Sequence, residues 1–111
     1  MDKTVDYPFL LPEFLAAMND IGRYGHEKYK EESFHARAQS GDHSRGSLHR
    51  NDPDCIAAHA KGHFDEYLKG VKHDKFNTQI HQLAAVAFNA MLEAYYACLT
   101  RAEGNSDWHA A

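Results

Sequence analysis

The sequence predicts an all-α fold, a small helical bundle of three to four helices with a long polar loop, completed by oligomerisation. Three observations point there. Apolar residues recur at helical spacing in three separate stretches. No segment alternates apolar and polar residues as a half-buried strand does. The chain has 111 residues, 43% of them apolar, which suits one domain with a modest core.

Residues 1–11 read as an extended lead-in. Pro12 fits the first position of a helix, where its missing N–H costs nothing. Phe14, Leu15, Met18 and Ile21 then follow at helical spacing, with Gly22 and Gly25 as weak breakers. This helix either runs to about Glu32 or splits near Gly22. Residues 33–51 are rich in Ser, Gly, His and Arg and have almost no apolar periodicity, which predicts a loop. Asp52-Pro53 resembles a capped helix start, and Ile56, Ala60, His63, Phe64, Tyr67 and Leu68 form its stripe. The second long helix is therefore placed at Pro53–Lys69, with Gly70 as its C-terminal stop. Asp74, Asn77 or Thr78 can cap the last helix, whose wide apolar face carries Leu83, Val86, Ala87, Ala90, Met91, Ala94, Tyr95 and Cys98. The tail from about 103 to 111 reads as frayed. A bundle this small leaves much of that last helix exposed in a monomer, so a homodimer or higher homo-oligomer is expected.

Composition narrows the function. Twelve Lys and Arg against 16 Asp and Glu give a net charge of −4, which argues against a general nucleic-acid partner. No apolar run reaches membrane-spanning length, and the start MDKTVDYP lacks a basic-then-apolar leader, so a cytoplasmic location is expected. Cys55 and Cys98 fall at core-like positions and read as small buried hydrophobes; a disulfide between them stays open. There is no phosphate-binding glycine loop, nucleophile elbow, CxxC pair or dinucleotide fingerprint.

The polar chemistry lies in nine histidines and the carboxylates near them. His59, His63 and Glu66 share one helix face at i, i+4 and i+7. They suit a divalent metal, or they are hydrogen-bonded residues flanking the core. His73-Asp74 stands in the turn before the last helix, and His81 and Asn89 lie near one face of that helix. His63, Asp74 and His81 can therefore converge. Glu27 and Glu31 are an i, i+4 carboxylate pair able to hold magnesium, or part of a solvated charged face with Lys28 and Lys30. Arg37, Arg45 and Arg50 in the polar loop suit phosphate oxygens, or are solvated.

The order of these features resembles the small phage and bacterial dATP/dGTP diphosphohydrolase-like domain. The resemblance rests on Leu10-Leu11-Pro12, on Tyr24-Gly25-His26-Glu27-Lys28-Tyr29, on His63 before Gly70, then Asp74, then His81, and on Ala84 to Asn89. It covers most of residues 9–99. Three positions depart from the pattern: Ser33-Phe34 in place of Asn-Trp, Gly62 in place of Arg, and Ala84 or Ala85 in place of a second histidine. The resemblance implies a metal-dependent nucleotide pyrophosphohydrolase acting on a (deoxy)nucleoside triphosphate with magnesium or manganese. His63, Asp74 and His81 would be catalytic. Glu27, Glu31, His59 and Glu66 would serve the metal. Tyr24, Lys28, Tyr29, Arg37 and Asn89 would meet the nucleotide. The absent second histidine leaves an alternative, a non-catalytic phage-type protein that sequesters a nucleotide or inhibits a host defence protein.

Overall fold

The computed structural model describes residues 7–75 and 79–99. Among these, four α-helices form the architecture: α1 (Pro12–Tyr29), α2 (Phe34–Gln39), α3 (Ile56–Leu68) and α4 (Gln82–Leu99), with a 3-10 turn at Lys30–Glu32. No described segment forms a strand; His73 and His81 pair through one isolated antiparallel bridge. The expectations about residues 103–111, Asn77 and Thr78 fall outside the described residues.

Helix α1 starts at Pro12, as its fixed φ allows, and runs unbroken through Gly22 and Gly25. Gly22 is a contact rather than a break. A Cβ there would lie 3.2 Å from Phe88 Cε1, so its absence lets α1 approach α4. The polar segment predicted as a loop contains α2. Ser33 is buried and caps it, its Oγ accepting the Ala36 amide at 3.1 Å. Phe34 then sits edge-on to Tyr95 at 5.2 Å. One aromatic anchor and one cap thus form a helix that apolar periodicity could not announce.

The expected start of α3 at Pro53 is also corrected. Asp52 turns its side chain onto the Asp54 amide at 2.9 Å, and its carbonyl accepts the Cys55 amide at 2.9 Å. This local turn precedes the helix and delivers Cys55 and Ile56 to the interior, so α3 begins at Ile56. Gly70 does end it. With φ +95°, Gly70 donates to the Tyr67 carbonyl at 2.9 Å, and Val71 donates to the Glu66 carbonyl at 3.0 Å.

Packing is centred on α3 against α4, with α1 laid on α4 as well. Ile56, Leu92 and Tyr96 make the buried cluster, flanked by Phe34, Leu48, Phe88 and Tyr95. Cys55 and Cys98 are buried free thiols. Of the apolar face expected on α4, Cys98 is buried, Ala90 and Met91 are exposed and the rest are half-buried. The largest apolar exposure lies on the lead-in to α1, where Phe9 is 96% and Leu11 67% exposed.

Candidate functional site

A cleft of about 720 Å³ opens between one face of α3, the α3–α4 connection and the first residue of α4. That volume falls in the range of small-molecule sites. The helical spacing of His59, His63 and Glu66 brings all three to its wall. The turn at Gly70 folds the following chain back, and Asp74, 7% exposed, reaches the same cleft from there. Its backbone is fixed by the Asp74 amide donating to the Ile80 carbonyl at 3.0 Å. The Gln82 amide donates to the Lys72 carbonyl at 2.8 Å, closing the other side of this connection. Lys69 and Lys75 add positive charge at the rim, with Lys69 Nζ 3.4 Å from Glu66. The buried side chain of Gln82 meets His63, Nδ1 to Oε1 at 2.7 Å.

His63 and Asp74 thus come together as expected, with His59 and Glu66 beside them. His81 does not join the cleft wall. It precedes α4 rather than lying on it, and its Nδ1 accepts the Leu83 amide at 3.1 Å, capping the helix. Its ring packs against Tyr67 and His73, at centroid separations of 5.7 and 5.4 Å. Asp74, another expected cap for this helix, lines the cleft.

The metal candidates divide between two places. Glu27 and Glu31 line a second hollow with His26, Lys30 and Ala36, at the junction of α1 and α2. His59 and Glu66 are in the main cleft. Among the described residues no group of three His, Cys, Asp or Glu stands ready to hold a metal ion. The donor set of the described residues does not form a resident metal centre ready-made.

The nucleotide-binding candidates are likewise scattered. Lys28 lies over the Tyr24 and Tyr29 rings, at 5.9 and 5.2 Å, a group of its own on α1. Arg37 is occupied by the protein: it donates to the carbonyls of Glu32 and Ser44 at 3.1 and 2.7 Å and to the Tyr96 hydroxyl at 3.1 Å. A guanidinium used this way holds the polar segment against α4. Arg45 does the same, forked onto Glu93 at 2.6 and 2.9 Å and lying over the Tyr96 ring at 5.6 Å. Burial raises the Tyr96 pKa, with the Arg37 charge acting the other way. Asn89 turns its amide onto the Ala85 carbonyl at 2.8 Å, within its own helix.

The family model described as "dATP/dGTP diphosphohydrolase, N-terminal" matches residues 1–105. The chain belongs to this family. No curated protein and no solved structure matched the chain. The dATP/dGTP diphosphohydrolase family name describes a hydrolase, and the match is to its N-terminal part. In this member, Ala84 and Ala85, 1% and 4% exposed, stand where a second histidine was expected. They pack in the core and bring no polar group to the cleft.

Sequence reasoning missed Gln82, Lys69 and Lys75. The density of Lys and His over residues 69–75 was a usable signal for the two lysines. Gln82 carried none, because its role depends on where α4 starts relative to α3.

Proposed function

We propose that the protein is a nucleoside triphosphate pyrophosphohydrolase working in the α3–α4 cleft on a deoxynucleoside triphosphate. The observation that carries this reading is the convergence of His59, His63, Glu66 and Asp74 with Lys69 and Lys75 at one cleft, in a member of this family. A water oxygen attacks the α-phosphorus while the bond to the bridging oxygen of the β-phosphate breaks. The products are the nucleoside monophosphate and pyrophosphate. His63 takes the proton from the water, and the Lys69 and Lys75 ammonium groups face the triphosphate charge. A divalent ion, magnesium or manganese, enters as part of the metal–nucleotide substrate. Magnesium favours this mode, keeping most of its ligands from water and phosphate. The exposed Phe9, Leu11 and their neighbours support assembly as a homodimer or larger homo-oligomer.

The test is incubation with each deoxynucleoside triphosphate and magnesium or manganese, followed by pyrophosphate detection. Turnover is expected, and His63→Ala should lower kcat by about a hundredfold or more while the protein stays folded. Absence of turnover together with absence of a nucleotide-induced thermal shift would remove this reading.

The buried Ala84 and Ala85 favour one second reading, a family member that binds a nucleotide, or a host protein, without chemistry. Nucleotide binding without pyrophosphate release supports the first version. Capture of a defined host protein by a chain that binds no nucleotide supports the second.

A further inference from the structure

Gln82 is the first residue of α4, and at 3% exposed its side chain is enclosed. A buried amide contributes only when its polar atoms are paired. Its Oε1 lies 2.7 Å from His63 Nδ1. An amide oxygen only accepts hydrogen bonds, so Nδ1 must carry the proton in this contact. A neutral imidazole protonated at Nδ1 has its lone pair on Nε2. Among the described residues no hydrogen bond reaches that Nε2, and the His63 side chain lines the cleft.

We propose that Gln82 is a positioning residue that locks His63 in the Nδ1–H tautomer, so that Nε2 presents its lone pair to the cleft as the proton acceptor. The neighbouring histidine shows the opposite arrangement. His81 Nδ1 accepts the Leu83 amide at 3.1 Å, so a neutral His81 carries its proton on Nε2 and has no lone pair left to offer. It is also absent from the cleft wall. Two histidines close to the start of α4 thus have fixed and different tautomers, one serving the cleft and one serving the helix. Imidazole in water favours the Nε2–H form, which would turn a donor rather than an acceptor toward the water. An orienting acceptor behind a histidine is the usual way a protein reverses that preference. The catalytic part of this proposal rests on the nucleotide-hydrolysing reading of the cleft; the tautomer itself does not.

The test has two readouts. Long-range proton–nitrogen NMR of the intact chain with labelled histidine, at pH about 8 where an ordinary imidazole is neutral, reads each tautomer directly. The His63 signals are assigned by their loss in His63→Asn. His63 is expected as Nδ1–H in the wild type and in Gln82→Glu, which keeps an oxygen acceptor. It is expected as Nε2–H, or a mixture, in Gln82→Met, which removes the acceptor at similar volume. A wild-type His63 found as Nε2–H overturns the proposal, as does Gln82→Met retaining Nδ1–H. The wild-type spectrum decides even if Gln82→Met fails to fold. The second readout is kinetic. Gln82→Met should lose about ten- to a hundredfold in kcat with KM changed less than about threefold, and Gln82→Glu should recover most of it. A loss confined to KM, or no rescue by Gln82→Glu, overturns the catalytic part. Absence of turnover in the wild type counts against the functional reading alone, since the tautomer spectrum stands independently.

Discussion

Arg45 and Glu93 meet through two hydrogen bonds of 2.6 and 2.9 Å, from positions 48 residues apart. The Arg45 hydrogen bonds hold the Glu93 carboxyl below its ordinary pKa, and Glu93 in turn raises that of the guanidinium. A carboxylate with a depressed folded pKa contributes stability that is complete above its unfolded value, about 4.3, and is lost as pH falls through the folded value. Unfolding monitored by circular dichroism should therefore show a midpoint that drops below pH about 4.3 in the wild type. Glu93→Gln should flatten that acid limb and lower neutral-pH stability by about 1–3 kcal/mol, since a charge-assisted pair becomes a weaker neutral one beside a still-charged guanidinium. The sequence identified Arg37 and Arg45 as unusual but not their use. An arginine in a polar segment reads the same whether it waits for phosphate or braces a helix; only the location of Tyr96, Glu93 and the loop carbonyls distinguishes them. His63 was readable from its place on an apolar-striped helix, whereas its partner Gln82 was not.

The junction after α3 decides where Asp74 stands in the cleft, and one close contact decides how α1 lies on α4. The C-terminal turn of α3 depends on Gly70 at φ +95°, a conformation that an L side chain adopts only with strain. Gly70→Ala should cost about 1–2 kcal/mol in denaturant unfolding. It should also weaken turnover or nucleotide binding, because the chain leaving this turn delivers Asp74 to the cleft. An unchanged midpoint would show that the turn is not under this constraint. Along α1, Gly22 permits a close approach to Phe88. Gly22→Leu should destabilise by about 1–3 kcal/mol through overpacking, despite leucine's better helix propensity. The Gly70 stop was legible because a C-terminal glycine after a striped helix has a local cause. Helix α2 and the true start of α3 were not, because a buried cap at Ser33 and the packing of Cys55 and Ile56 are tertiary facts.

The molecule as a whole buries α3 and α4 against each other but leaves α1 without a buried residue. Phe9, Leu10, Leu11, Phe14 and Leu15 remain exposed along its start. Light scattering at micromolar concentration is expected to report a dimer or larger species, and paired Leu11→Asp and Phe14→Asp substitutions should shift it toward monomer. A wild-type monomer would refute that assembly. No described helix is long and apolar enough to cross a membrane.

By itself the sequence determined the all-α class, the site of each long helix to within a few residues, and the face that carries His59, His63 and Glu66. These follow from local periodicity and from glycine and proline geometry, which act over a few residues. The tertiary structure decided the rest. It tied Arg37 and Arg45 to the protein itself, turned His81 into a helix cap, separated Glu27 and Glu31 from the cleft, and set Gln82 behind His63. Each outcome depends on which groups meet across the α3–α4 and α1–α4 contacts, and spacing along the chain carries no record of those meetings.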